Sequence, residues 1–207
     1  MAMIRMNASS TPGSDSVDRV LEAASQLFCE EGFRASIDKV AERAGVARQT
    51  VYNRFGSKTE LFRAVMQRVC TDLHETLEAR DGALREQLVD FALRFRAHVM
   101  SAENISAHRA LIAEVPRFPE LANALLENGP CRTRDQLASL LSHEMDAGRL
   151  LKADASEAAE FLIEVVVGFD HTRLLFGGEP PLPAQEQGKV ERIVDTFLRA
   201  YAPQAAG

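Results

Sequence analysis

The 207-residue sequence predicts an all-α fold of about nine helices, and three observations carry that expectation. Apolar residues recur at helical spacing along nearly the whole chain. Gly and Pro punctuate it at helix-length intervals, and alternating runs rich in β-branched residues are almost absent. An apolar fraction of 46% and a charged fraction of 26% exclude a disordered or collagen-like chain. This length buries a sizeable core without disulfide or metal staples.

The first predicted helix carries Val17, Val20, Leu21, Ala24, Leu27 and Phe28 on one face, with Asp15 or Ser16 as N-cap and Gly32 beyond its end. Residues 1–14 read as a loose tail without the apolar core of a secretory signal. A short helix over 36–44 follows, capped by Ser36 and broken at Gly45. A second short helix covers 47–55 and stops at Gly56. Ser57 and Glu60 form a capping box that opens a helix reaching about Arg80.

Leu84, Leu88, Phe91, Phe95 and Val99 mark the next helix, and a shorter one covers about 108–115. Residues 119–148 are again helical in pattern, with Pro130 as a kink or break. Asp154 and Glu157 open a helix that ends at Gly177-Gly178. After the EPPLP loop, Val190, Ile193, Val194, Phe197, Leu198 and Tyr201 define the last one.

Charge is distributed unevenly. Twenty-four basic residues against thirty acidic ones give −6 overall, which rules out a polycation that coats nucleic acid. Between Phe33 and Arg63, however, seven basic residues face three acidic ones, a local +4 that leaves −10 for the rest. No run of about 18 apolar residues offers a membrane span. Cys29, Cys70 and Cys131 are an odd set without CxxC spacing, read as buried free thiols of a reducing cytoplasm.

Residues 36–55 have the form of a helix-turn-helix. Helices this short are unstable alone, so Ile37, Val40, Ala41, Val46, Val51 and Phe55 must pack on each other and on the first helix. The opposite face of the second helix is then Arg48, Gln49, Tyr52, Asn53 and Arg54 around Thr50. Arg suits guanine edges, Gln and Asn suit adenine, and hydroxyls reach phosphates.

The run GFRASIDKVAERAGVARQTVYNRFGSKTELFRAV, Gly32 to Val65, resembles the DNA-binding domain of the TetR/AcrR family of bacterial transcriptional regulators. The Gly-Phe opening, the Ala-Gly-Val break, Thr-Val-Tyr-x-x-Phe and Ser-Lys-x-Glu-Leu stand in order at family spacing. The stretch ALIAEVPRFPELANALLENGP looks, more weakly, like the C-terminal domain of an AcrR-like branch. The resemblance implies a helix-turn-helix domain over 15–60 and a ligand-binding and dimerisation domain over 61–207. It places Arg48 and Gln49 on base edges, Thr50, Tyr52 and Lys58 on phosphates, and Ser36 at a cap near the phosphates. Asn53 and Arg54 would contact base or backbone. Ala47 stands where the family often has Ser, so one hydroxyl contact is lost. Tyr52 reads equally as a packing residue with a wet hydroxyl.

The predicted helix over 155–176 is apolar nearly all round, so its own bundle covers only part of it and a second copy would cover the rest. Phe161, Val166, Phe169, Val190, Ile193, Val194 and Phe197 are the expected homodimer interface, as is usual in the family. Two-fold symmetry would offer two recognition helices to a pseudo-palindromic double-stranded operator. The family also implies a small-molecule pocket, with Phe91, Phe95, His98, Phe118, Phe161 and Val165 as candidates. Each of these, taken singly, reads first as core. The expected function is a cytoplasmic, nucleoid-associated repressor whose unidentified apolar or amphipathic effector favours a DNA-released state through the helix that joins both domains.

Other classes find less support. His143-Glu144-Met145-Asp146-Ala147 begins like HExxH but lacks the second His, and no P-loop, GxGxxG or GxSxG occurs. No catalytic residue, metal or cofactor is expected. A redox regulator sensing through a cysteine is the alternative, with Cys131 beside Arg132 as its best candidate. An adaptor that has lost DNA binding would not need the intact polar set from Arg48 to Lys58.

Overall fold

Two units organise the chain, Met1–Val65 and Met66–Gly207. The computed structural model describes residues 12–78, 83–116, 122–123, 126–127 and 129–203. Among the described residues it forms nine α-helices and no strand.

The first unit contains α1 (Pro12–Glu31), a 3-10 turn (Gly32–Arg34), α2 (Ile37–Ala44), α3 (Arg48–Phe55) and the start of α4 (Lys58–Glu78). α1 begins at Pro12, because a proline needs no N–H in a first turn. Pro12–Ser14 are therefore helical rather than tail, and residues 1–11 lie outside the described residues. Ser36 Oγ accepts from the Lys39 N–H at 3.2 Å and so caps α2. Gly45 then turns the chain in the left-handed region, at φ 66°. Its N–H and that of Val46 return to the last carbonyls of α2.

Only half of the expected capping box forms. Ser57 Oγ accepts from the Glu60 N–H at 3.1 Å, but the Ser57 N–H bonds to the Phe55 carbonyl and the Glu60 carboxylate turns to Arg63. The tight Gly56 turn already supplies the partner that Glu60 was expected to provide.

Packing, rather than local propensity, holds α2 and α3. Leu27, Val40, Val51 and Leu61 are fully buried, and Phe28, Phe33 and Phe62 meet with ring centroids 5.3, 5.8 and 6.2 Å apart. Each such side chain contributes about 1.5–3 kcal/mol, against about 1 kcal/mol for a helix cap. Leu61, Phe62 and Val65 are buried here, so the packing boundary falls beyond the expected one at residue 60.

The second unit contains the rest of α4, then α5 (Leu84–Val99), α6 (Ala102–Glu114), α7 (Pro130–Asp146), α8 (Ala155–Leu175) and α9 (Pro183–Ala200). α7 packs along α8, α9 along α5, and α6 against α8. Leu88, Phe91, Leu137, Leu141, Leu162, Val190 and Val194 form the centre of the core. The Leu151 N–H bonds to the Tyr201 carbonyl at 2.8 Å, tying the loop before α8 to the end of α9.

Three features depart from the sequence expectation. α6 starts at Ala102 rather than near residue 108, because Ser101 Oγ accepts from the Asn104 N–H and caps it. Pro130 and Pro183 each open a helix, so α9 begins inside the expected Pro-rich loop. α8 is broken at Gly168, whose φ of 55° and ψ of −158° lie in a region that only glycine occupies readily.

Arg96 is bound at that break. Its guanidinium, 1% exposed, donates to the Val166 and Val167 carbonyls, to Asp170 at 2.8 Å and to Glu186 at 2.7 and 2.9 Å. Lys189 also donates to Asp170. Burial disfavours the Arg96 charge, yet Glu186 and Asp170 more than offset this and hold it above the ordinary arginine range. Lys189 and Arg96 keep the Asp170 carboxyl below the usual carboxylate range.

Gly45→Ala is expected to destabilise the protein by about 1–2 kcal/mol in urea unfolding, the cost of a left-handed L-residue, since no atom crowds a Cβ there. Arg96→Met leaves two carboxylates without their buried cation and costs about 3–5 kcal/mol. Because the Asp170 pKa is depressed by folding, its contribution is complete above the unfolded value of about 3.9 and is lost as pH falls below it. An Asp170→Asn variant should therefore show a shallower loss of stability on acidification.

Candidate nucleic-acid interface and ligand cavity

In the first unit, α3 buries Val51 completely and half-buries Thr50, Tyr52 and Phe55. Arg48, Gln49, Asn53 and Arg54 are exposed. No side chain caps α3 at Ala47. The helix thus has one face spent on the core and one polar face turned to solvent, four of whose residues carry base-reading groups.

The cations of this unit have specific partners. Arg48 Nε lies 3.2 Å from Asp38 Oδ1, and its guanidinium sits 5.4 Å from the centre of the Tyr52 ring. Gln49 donates to the Asn53 side-chain carbonyl oxygen at 2.8 Å, which leaves the Gln49 oxygen and the Asn53 NH2 for other partners. Arg43 makes a bidentate pair with Glu30, and Lys39 pairs with Glu31. Counting these two glutamates lowers the local charge from +4 to +2. Lys58 is half-buried; its ammonium bonds to the Phe33 carbonyl and lies 4.4 Å from the Phe33 ring centre. Exposed pairs such as Arg48–Asp38 are worth about 0–1 kcal/mol, so a phosphate or base edge can displace them. Lys58 must give up a partly buried bond to do the same.

The second unit encloses a cavity of about 370 Å³. Of the expected pocket residues, Phe95 and His98 line it. Phe91 does not; it is fully buried in the core, stacked on Phe95 at 5.6 Å. Phe161 and Val165 do not either, being 49% and 39% exposed on the outer side of α8. Each helical residue rotates about 100°, and the wall of the cavity is instead Ile163, Glu164, Val167 and Gly168. Phe118 lies outside the described residues.

Sequence reasoning missed the polar heart of this cavity. His108 on α6 and His171 on α8 both line it, with His108 Nδ1 3.3 Å from His171 Nε2. Burial, and then the neighbouring His171, lower the His108 pKa; burial lowers that of His171. No local spacing could have joined two histidines 63 positions apart. Nearby, the Asn104 side chain donates to the His98 carbonyl at 2.6 Å.

The expected interface splits in two. Val166, Val190, Val194 and Phe197 are buried within the unit's own core, so they are not available to a second copy. Ile193 is half-buried. Phe161 and Phe169 are exposed, Phe169 by 73%, as is Val165; Phe161 and Val165 are one turn apart on α8, and Phe169 follows the Gly168 break.

Glu144, from the HExxH-like stretch, is paired with Arg149 at 2.6 and 2.7 Å. Among the described residues no three His, Cys, Asp or Glu side chains gather as a metal site. Cys29 and Cys131 are half-buried, and the Cys70 side chain lies outside the described residues. Among the described residues no helix is long and apolar enough to cross a membrane.

Comparison with known proteins covers both units. Residues 20–65 match the family model for bacterial regulatory proteins of the tetR family. Residues 86–203 match that for the C-terminal domain of AefR-like transcriptional repressors. The structure is similar to that of the flavonoid-responsive regulator FrrA, with a TM-score of 0.72 and 32% identity over 93% of this chain and all of that one. A Mesorhizobium loti structure described as a TetR-family regulator shares the fold, with a TM-score of 0.77 and 24% identity over 93% of this chain and 100% of that one. The uncharacterised HTH-type transcriptional regulator YvkB of Bacillus subtilis is 24% identical over 89% of this chain and 96% of its own length.

The cavity geometry generates a direct expectation. In an NMR titration of the full chain, His108 and His171 should both take up protons below the ordinary histidine midpoint of about 6.5, leaving the pair uncharged at neutral pH. Ordinary midpoints for both would show that the pair is open to water.

Proposed function

This chain belongs to the TetR family of bacterial regulators, is a DNA-binding transcriptional regulator rather than an enzyme, and on that premise we propose that it is a repressor released from its operator by a small, mainly apolar effector. The observation that carries the reading is the two-faced α3, with Val51 buried and Arg48, Gln49, Asn53 and Arg54 exposed. A pair of such helices, related by two-fold symmetry, reads the two halves of a pseudo-palindrome. Exposed Phe161, Val165 and Phe169 supply the apolar surface that a second copy covers. Arg48 and Gln49 read base edges. Thr50, Tyr52 and Arg54 hold the backbone, Asn53 serves either role, Ser36 approaches a phosphate from the start of α2, and Lys58 joins once it leaves Phe33. When bound, the protein resides on the nucleoid.

The similarity to AefR-like repressors supports repression, and the similarity to a flavonoid-responsive regulator supports an aromatic effector. The cavity of about 370 Å³ has the size and the apolar walls for one. α4 carries Val65 into the first-unit core and, at the next position, Met66 into the cavity wall. An effector that binds better to one setting of α4 shifts the population away from the DNA-binding state, through that difference in affinity alone.

Selection of bound fragments from a random DNA pool tests the reading. An inverted repeat with half-sites about one helical turn apart is expected, and failure to enrich any sequence would contradict it. On the selected duplex, Arg48→Ala should cost about 1–3 kcal/mol and relax preference at one base position. Arg54→Ala should weaken all sequences alike and flatten the salt dependence.

A further inference from the structure

The cavity holds a second layer of information, in the pair of imidazoles that meet across it. We propose that the His108–His171 pair is the recognition element of this cavity, and that its ligand is an uncharged, mainly apolar molecule bearing a phenol-type hydroxyl. The assignment rests on the effector reading given above and names the chemistry of that effector.

With His108 Nδ1 and His171 Nε2 3.3 Å apart, one N–H is spent between the rings. Whichever ring donates it, the pair turns one N–H and one lone pair outward. These two groups stand at opposite ends of the pair, so one ligand atom meets one of them, and a hydroxyl, which both donates and accepts, pairs with whichever is presented. A carboxylate offers only acceptors, and no Lys or Arg stands among the described lining residues to balance its charge. Glu164 lines the cavity and repels an anion, while it accepts readily from a second hydroxyl.

The remaining polar groups are largely committed. Thr133 Oγ1 donates to the Gly129 carbonyl at 3.1 Å, and the Asn104 amide serves His98. The walls supplied by Phe95, Val99, Leu111, Ile163 and Val167 are apolar, as an aromatic body requires.

The same geometry fixes a pH dependence. The other titratable groups that line the cavity are His98 from α5 and the exposed Glu164 from α8; the described lining residues of α4, α6 and α7 contribute none besides His108. Burial keeps both imidazoles neutral at neutral pH. On acidification a proton converts the outward lone pair into a second N–H and gives the pair a positive charge, to which a hydroxyl still offers its oxygen and a carboxylate offers its own charge. The preference for a hydroxyl over a carboxylate therefore narrows as pH drops.

Isothermal titration of the full chain with 2-naphthol, 2-methylnaphthalene and 2-naphthoate tests this. The first two are nearly isosteric and differ in the hydroxyl. At neutral pH, 2-naphthol should bind about tenfold tighter than 2-methylnaphthalene, the size of one net buried hydrogen bond. At neutral pH 2-naphthoate should bind more weakly than 2-naphthol, and that difference should narrow in mildly acidic buffer. His171→Phe and, separately, His108→Phe should abolish the margin while 2-methylnaphthalene still binds, which also reports a folded cavity. Equal binding of 2-naphthol and 2-methylnaphthalene by the unaltered protein would overturn the assignment and leave the effector cavity standing. If neither binds, the effector cavity itself is refuted and the pair's role falls with it.

Discussion

Burial of one face of α3 is the constraint on which the rest depends. Eight residues cannot hold a helix in water by themselves, so α3 exists only because Val51 is sealed in the core of the first unit, where the helix packs on α2. The Phe28, Phe33 and Phe62 rings fix that surrounding frame. What remains exposed on α3 is then rigidly presented, and its side chains are the ones that recognise bases and phosphates. Folding and recognition use opposite sides of the same two turns.

The cationic surface is less free than its charge count implies. Lys39 and Arg43 are tied to α1 by Glu31 and Glu30, and Arg48 leans on Asp38. These exposed pairs are weak. They orient the helices in the unbound protein and exchange for phosphates at little cost. In the second unit the balance is reversed. Arg96 is buried with Asp170 and Glu186 and also takes two carbonyls beside the Gly168 break. Its network is a fixed support behind the cavity wall, since Val167 and Gly168 line that cavity.

Legibility in the sequence followed locality. The helix-turn-helix was readable because its caps, its glycine turn and its buried face all lie within about twenty residues, and Ser36, Gly45 and Val51 take the expected structural positions. The start of α6 was missed although Ser101 is an ordinary cap, since the apolar spacing there is weak. The cavity was half readable. Phe95 and His98 share one helix face, but His108 and His171 come from helices far apart in the chain. Four residues of the expected interface were misassigned for a related reason. A helix apolar all round does not say which side its own core takes, and the core takes Val166, together with Val190, Val194 and Phe197 of α9, leaving Phe161 and Phe169 outside.

Hydrogen–deuterium exchange of the full chain, alone and on its selected duplex, tests the central claim most directly. New protection should centre on residues 48–55 and the cap at Ser36, while the buried core helices of the second unit keep the exchange they show without DNA. A duplex that binds tightly yet leaves α3 as open as before would contradict the account, because the exposed face of that helix would then have no part in recognition.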